Sequence, residues 1–162
     1  MRVTSSEKSS DPRRGRGRKS TPNRLEVDSG GGAGLYGAVT PTEPVALSVV
    51  VPVYNGADFI AASIREVLAH LAQLPYATEL IVVDDGSGDG TSDIVREALR
   101  DAPVPAFLLT RERNEGKGAA ITAGMQCARG AHRVFLDADL AYPPETIDAI
   151  DAALAHADIA VA

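Results

Sequence analysis

Apolar and polar positions fall in blocks along this chain, and from Val45 onward the blocks keep one rhythm. Leu47–Val51 is a continuous apolar run, as in a strand buried on both faces, and Pro52 with Asn55-Gly56 ends it. Ile60, Ile64, Val67, Leu68 and Leu71 then recur at helical spacing. Asp58 is placed to cap that helix and Pro75 to stop it. Leu80–Val83 is a second short strand. The loop Asp84-Asp85-Gly86-Ser87-Gly88-Asp89-Gly90 leads into a helix over 91–100 carrying Ile94, Val95, Ala98 and Leu99. Ala106–Leu109 predicts a third strand, Gly116–Ala128 an Ala-rich helix and Arg133–Leu136 a fourth strand. Pro143-Pro144 opens a helix running to about Ala155, since proline is favoured in a first turn. Asp158–Val161 reads as the start of a further strand.

Four strand–helix repeats are the signature of a mostly parallel sheet with helices on both faces and right-handed crossovers. Ligands of such sheets bind beyond the carboxyl ends of the strands. The polar clusters fall there in order: Tyr54-Asn55, Asp84-Asp85, Arg111–Lys117 and Asp137–Asp139. Scattered surface acids would not all follow strands.

The 162 residues suffice for one domain with a core, and 44% hydrophobic with 23% charged residues is ordinary for a globular protein. The net charge of −6 is unevenly spread. Residues 1–44 carry eight basic and five acidic residues, whereas residues 45–162 carry eight and seventeen. Residues 1–44, rich in Ser, Gly, Pro and Arg, are expected to form a disordered basic and Gly-rich tail, with the folded domain at 45–162. Arg13-Arg14-Gly15-Arg16-Gly17-Arg18-Lys19 could touch acidic lipid head groups or nucleic acid, but a solvated tail is the simpler reading. The acidic domain is a poor partner for nucleic acid, and none is expected. An anionic ligand bound through a metal is compatible with it. Gly32-Ala33-Gly34-Leu35-Tyr36-Gly37 matches the dinucleotide fingerprint, yet no strand precedes it and Pro41 and Pro44 follow. It is therefore read as a flexible linker. Cys127 is the only cysteine, which excludes an internal disulfide or a cysteine zinc cluster. No apolar stretch approaches the roughly 20 residues that span a membrane, and no secretory signal is evident. A cytoplasmic location follows, with peripheral contact at a membrane left open.

In Phe135-Leu136-Asp137-Ala138-Asp139-Leu140, strand alternation would aim Asp137 and Asp139 the same way. Two convergent carboxylates suit Mg²⁺ or Mn²⁺ held jointly with substrate phosphates. The competing reading is a pair of solvated loop acids. Asp84 or Asp85 could accept hydrogen bonds from a ribose hydroxyl or a base N–H, while Gly86, Gly88 and Gly90 permit close approach and positive φ. Ser87, Asp89 and Thr91 read as turn and cap residues. An EF-hand counted from Asp85 puts Arg96 where a bidentate Glu is required, so it fails. Arg111-Glu112-Arg113-Asn114-Glu115-Gly116-Lys117-Gly118 sets three cations around a helix start, where anions are favoured. Lys117 is thus a phosphate-binding candidate, weighed against a solvated loop. The segment is not a Walker A motif.

With these clusters in order, the chain resembles a family 2, GT-A-type glycosyltransferase. The residues that carry the resemblance are Val50-Val51-Pro52-Val53-Tyr54-Asn55, Ile81-Val82-Val83-Asp84-Asp85-Gly86-Ser87 with Asp89-Gly90-Thr91, Asn114-Glu115-Gly116-Lys117-Gly118-Ala119, and Asp137-Ala138-Asp139-Leu140. The last two, followed by Pro143-Pro144-Glu145, are most similar to the polyprenyl-phosphate sugar transferases. The resemblance implies a Rossmann-like GT-A nucleotide-sugar-binding fold. It implies that Pro52, Tyr54, Asp84 and Asp85 face the nucleoside and that Lys117 lies near the base or diphosphate. Asp137 and Asp139 would hold ribose and a Mg²⁺ or Mn²⁺ ion bridging the diphosphate of a UDP- or GDP-sugar. It further implies inverting transfer, with a polyprenyl phosphate at a membrane surface as acceptor.

Two departures qualify it. Relatives carry a Glu soon after Tyr-Asn, where this chain has Gly56-Ala57-Asp58. The family's domain also usually continues further, so the chain is expected to be truncated, with its acceptor half largely absent. Glu145, Asp148 and Asp151 are expected on a solvated helix face, and no catalytic base can be named. A phosphate acceptor, already anionic, needs none. The alternative is a catalytically silent, truncated nucleotide-sugar-binding fragment.

Overall fold

The computed structural model describes residues 27–29, 33–37 and 43–160. In chain order its elements are β1 (Val27–Ser29), β2 (Ala33–Gly37), β3 (Leu47–Val53), α1 (Ile60–Leu71), β4 (Thr78–Asp84), α2 (Thr91–Ala98), β5 (Ala106–Thr110), α3 (Lys117–Cys127), β6 (His132–Phe135) and α4 (Thr146–Leu154). The apolar runs become the parallel centre of a six-stranded sheet of order β1-β2-β5-β4-β3-β6. Val50 lies opposite Ile81 on one side and Phe135 on the other.

Alternation along the strands divides the core in two. Leu47, Val49, Val51 and Val53 pack with Leu80, Val82 and Leu108 under α1, α2 and α4, around Ile60, Ile64, Val95 and Ile147. Val50, Ile81, Val83, Phe107 and Leu109 face α3 through Ala120 and Ala128. The chain steps from β3 to β4 to β5 with helices on one face. It then returns past β3 to β6, and right-handed crossover carries α3 to the other face. Small residues let α3 lie close: a Cβ on Gly124 would come within 2.4 Å of Val50 Cγ1. The reversal between β3 and β6 is a topological switch point, which opens a crevice at the carboxyl ends.

Three expectations are corrected. Val27–Ser29 and Ala33–Gly37, expected within a disordered tail and flexible linker, are antiparallel strands, β2 pairing with the outer edge of β5. Such pairing uses backbone groups alone, so a Gly-rich segment with no apolar alternation can supply it. The remainder of 1–42 lies outside the described residues, including the basic cluster at 13–19. Asp158–Ala160 forms no strand, Ile159 being 81% exposed, and Val161 lies outside the described residues. Asp58 does not cap α1: it is exposed, while the Gly56 carbonyl accepts the Phe59 and Ile60 N–H groups. No helix among the described residues is long and apolar enough to cross a membrane.

Candidate functional site

The loops at the carboxyl edge are tied to one another by side chains. After β3 the Tyr54 ring stands 49% exposed. Asn55 takes φ 50, a left-handed conformation that asparagine tolerates. Its N–H donates to Ser87 Oγ at 2.8 Å and its Oδ1 accepts the Gly88 N–H at 3.1 Å. The Gly56 N–H donates to Thr91 Oγ1 at 2.9 Å, and the Ala57 N–H to Asp89 Oδ2 at 3.1 Å. Asp89 Oδ1 also accepts the N–H and hydroxyl of Thr91. The Thr91 hydroxyl bond, aided by the backbone donors, holds the Asp89 carboxyl below its usual range. Ser87, Asp89 and Thr91 thus act as turn residues that stitch the β4–α2 loop to the β3–α1 loop, while Gly90 rather than a side chain caps α2.

Asp84 and Asp85 end β4 buried, at 1% and 2% exposure. Asp84 accepts the Ser87 N–H at 3.0 Å and the Ser92 hydroxyl. Asp85 accepts the Arg111 guanidinium at 2.5 Å, the Gly116 N–H at 2.7 Å and the Glu115 N–H. Arg111 in turn pairs with Glu115. Hydrogen bonding from Arg113, with the nearby Arg111 charge, keeps the Glu115 carboxyl low. Gly86 is required where it stands: φ is +75, and a Cβ would meet the Arg113 and Asn114 backbone at 2.6–2.8 Å. Gly90 also takes positive φ, whereas Gly88 takes none and has open space around it. Pro52 is buried within β3.

Asp85 therefore holds the start of α3, and with it Lys117 at the first helical position. Lys117 reaches across the switch point to Asp137, Nζ lying 2.5 Å from Oδ1 and 5.9 Å from the Phe135 ring centroid. Asp137 Oδ1 is buried and takes no directed hydrogen bond. Asp139 is exposed in the following turn, where it accepts the Ala141 N–H at 3.2 Å. Leu140 turns through φ 51, its N–H bonding the Asp137 carbonyl. The structure thus brings Lys117 and Asp137 into contact, and leaves Asp84 and Asp85 engaged with protein donors.

Beside this pair opens a cleft of about 470 Å³ between β6 and α4, its polar lining made by Lys117, Asp137, Arg133, Thr146 and Asp158. Phe135, Tyr142, Ile150, Leu154 and Ile159 supply apolar walls. Glu145 and Asp148 are exposed on α4 as expected, whereas Asp151, expected on the same solvated face, is largely covered and anchors that wall. His70 Nε2 lies 2.9 Å from Asp148, and His132 Nδ1 2.6 Å from Asp151. The Tyr76 hydroxyl donates to Asp151 at 2.7 Å. Burial, with the Asp151 carboxylate, pushes the Tyr76 pKa up to about 12. Arg111 is part of the cation cluster singled out in the sequence, but its bond to Asp85 was not foreseen, and His70 and His132 were missed altogether. Their partners lie 26, 78 and 19 residues away, beyond any local pattern.

The fold and these loops define an α/β protein with a crevice at its switch point, and comparison with known proteins identifies the family. The profile of Glycosyl transferase family 2 matches residues 48–162, and the chain belongs to that family of transferases. It is 40% identical over 101 residues to an undecaprenyl-phosphate 4-deoxy-4-formamido-L-arabinose transferase of Pseudomonas syringae pv. syringae, covering 62% of this chain and 30% of that protein. The same-named protein of Aeromonas hydrophila is 39% identical over 114 residues, covering 70% and 35%. Among solved structures, S. aureus TarS 1-349 in complex with UDP-GlcNAc superposes with a TM-score of 0.53 at 32% identity, over 68% of this chain and 30% of that one. The chain spans about a third of the length of the curated relatives it matches.

Proposed function

We propose that this domain is the donor-binding part of an inverting glycosyltransferase that moves a sugar from a UDP- or GDP-sugar to a polyprenyl phosphate. The observation that carries this is the Lys117–Asp137 contact at the switch point, beside an apolar cleft. A cation and a carboxylate there match a diphosphate and its metal, and the apolar walls match a prenyl chain. The named relatives act with undecaprenyl phosphate, and TarS 1-349 binds UDP-GlcNAc.

The residues fit a divalent cation. Asp137 offers a carboxylate whose Oδ1 is held by a single ammonium, and Asp139 an exposed carboxylate two residues on. No three His, Cys, Asp or Glu side chains among the described residues form a metal cage. Mg²⁺ or Mn²⁺ would therefore take its other ligands from diphosphate and water. Bound there, such an ion supplies Lewis-acid stabilisation of the departing diphosphate.

The chain's own groups do the rest. Tyr54 presents an exposed ring for the nucleoside, with Pro52 shaping the strand end behind it. Asp84 and Asp85 act through the loops that frame the nucleoside, since their oxygens are taken. Lys117 neutralises diphosphate charge. An acceptor phosphate oxygen attacks the anomeric carbon opposite the leaving group. That bond forms as the bond to the donor diphosphate breaks, and the nucleoside diphosphate leaves with the electron pair. The acceptor is ionised before it binds, so no side chain need remove a proton. Contact with a polyprenyl phosphate would place the protein peripherally at a membrane.

Calorimetric titration of UDP and of GDP, each with and without Mn²⁺, tests the reading. Mn²⁺-dependent binding of one of them is expected. No binding of either with Mn²⁺ present would overturn it.

A further inference from the structure

We infer that Lys117 and the metal ion compete for Asp137, so that metal enters only together with a diphosphate that takes the ammonium away. This rests on the reading of Asp137 as a metal ligand. Asp137 Oδ1 is buried, takes no directed hydrogen bond, and has the Lys117 ammonium 2.5 Å away. A carboxylate oxygen screened from water is costly without a partner, and here the Lys117 ammonium is that partner, a monovalent stand-in for the cation. A divalent ion held by the Asp137 carboxylate would stand directly beside that ammonium. Two cations so close on one carboxylate repel each other strongly.

Lys117 is built to leave. Its side chain is 57% exposed, and its backbone is fixed at the first turn of α3 while its stem is free to turn about four bonds. The first turn of a helix favours an anion, so a diphosphate docking there offers the ammonium a new partner beside its present one. Ammonium transfer from Asp137 to diphosphate then exposes the oxygen the metal needs. The consequence is positive coupling: metal alone binds poorly, nucleotide alone binds weakly, and each improves the other by the same factor. Free divalent metal would not load the site, and a free nucleoside diphosphate would be released when its metal departs.

Paramagnetic resonance of Mn²⁺ in the absence of any nucleotide gives a readout independent of transfer. In Lys117→Gln the competitor is removed, and Mn²⁺ affinity is expected to rise about fivefold, the size of one partly exposed ion pair. The same variant is expected to bind UDP or GDP more weakly in EDTA. Unchanged or weaker Mn²⁺ affinity in Lys117→Gln overturns the exchange. Asp137→Asn separates the two ideas: loss of Mn²⁺ binding there with no gain in Lys117→Gln sinks only the exchange. Wild-type Mn²⁺–nucleotide binding in Asp137→Asn sinks the metal site and the exchange together.

Discussion

Each end of the sheet holds a buried carboxylate against an arginine, and the two ends differ in what surrounds the pair. At the amino ends of the parallel strands, Glu79 is fully buried. It accepts the Ser48 hydroxyl at 2.7 Å, the Arg129 N–H at 2.7 Å and the Arg129 guanidinium at 2.9 Å. Ser48 Oγ accepts the Gly130 N–H in turn, and Arg129 lies over the Phe107 ring. The group closes on itself and ties the end of α3 to β3 and β4. At the carboxyl ends Asp85 makes a similar set of bonds with Arg111 and the start of α3, but the structure it fixes is open. Beyond it stand Lys117, Asp137 and the exposed Tyr54. The same chemistry serves stability at one end and placement of a binding surface at the other. Position relative to strand direction, not residue type, tells them apart.

Substitutions can break that contrast, beginning with the largest effect. Glu79→Ala leaves Ser48, the Arg129 N–H and a guanidinium without their acceptor. It should cost about 3 kcal/mol in urea unfolding, moderated because Arg129 is partly exposed, and leave nucleotide affinity within about twofold of wild type. A large loss of affinity in the folded variant would erase the distinction between the two ends. Gly86→Ala should cost about 1–3 kcal/mol, since φ is positive and the Arg113 backbone blocks the Cβ. Unlike Glu79→Ala, it should also weaken nucleotide binding, because it pushes away the loop that positions Lys117.

Smaller effects sharpen the comparison through pH. Asp89 and Glu115 have lowered native pKa values, so unfolding takes up protons in acid. Their contribution is present above the ordinary carboxylate pKa and is lost as pH falls through the lowered native value. Thermal melts from pH 6 down to pH 3 should show a shallower decline in Asp89→Asn than in wild type. Tyr76 runs the other way. Its native pKa of about 12 exceeds the ordinary 10.0, so its contribution is full below pH 10 and is lost as pH rises toward 12. Tyr76→Phe should flatten the alkaline limb over that interval, and an unchanged limb would place Tyr76 outside the α4 anchor.

How much of this the sequence carries depends on the range of the interaction. The four parallel strands are readable because strands buried on both faces must be apolar throughout. Their polar followers are readable because ligands gather at carboxyl ends. Lys117, Asp137 and Asp139 are proposed as site residues on that ground. Long-range polar partners leave no local trace. Asp58 has every attribute of a cap, yet Gly56 and the distant Asp89 organise the helix entry. Asp151 sits on a helix that looks solvated until His132 and Tyr76 close over it. Asp84 and Asp85 are conspicuous as a pair, but only the fold reveals that their oxygens are already engaged. Strand β2 leaves the least signal, since its backbone pairing with β5 needs no apolar alternation.

The central claim is that Asp137 belongs to a binding site rather than to the scaffold. Calorimetric affinity for UDP and GDP with Mn²⁺, compared between wild type and Asp137→Asn, tests it most directly. The account predicts at least a tenfold loss of the Mn²⁺-dependent affinity, about 1.4 kcal/mol or more, with a melting temperature near that of wild type. Undiminished affinity, or loss only in step with unfolding, would contradict it.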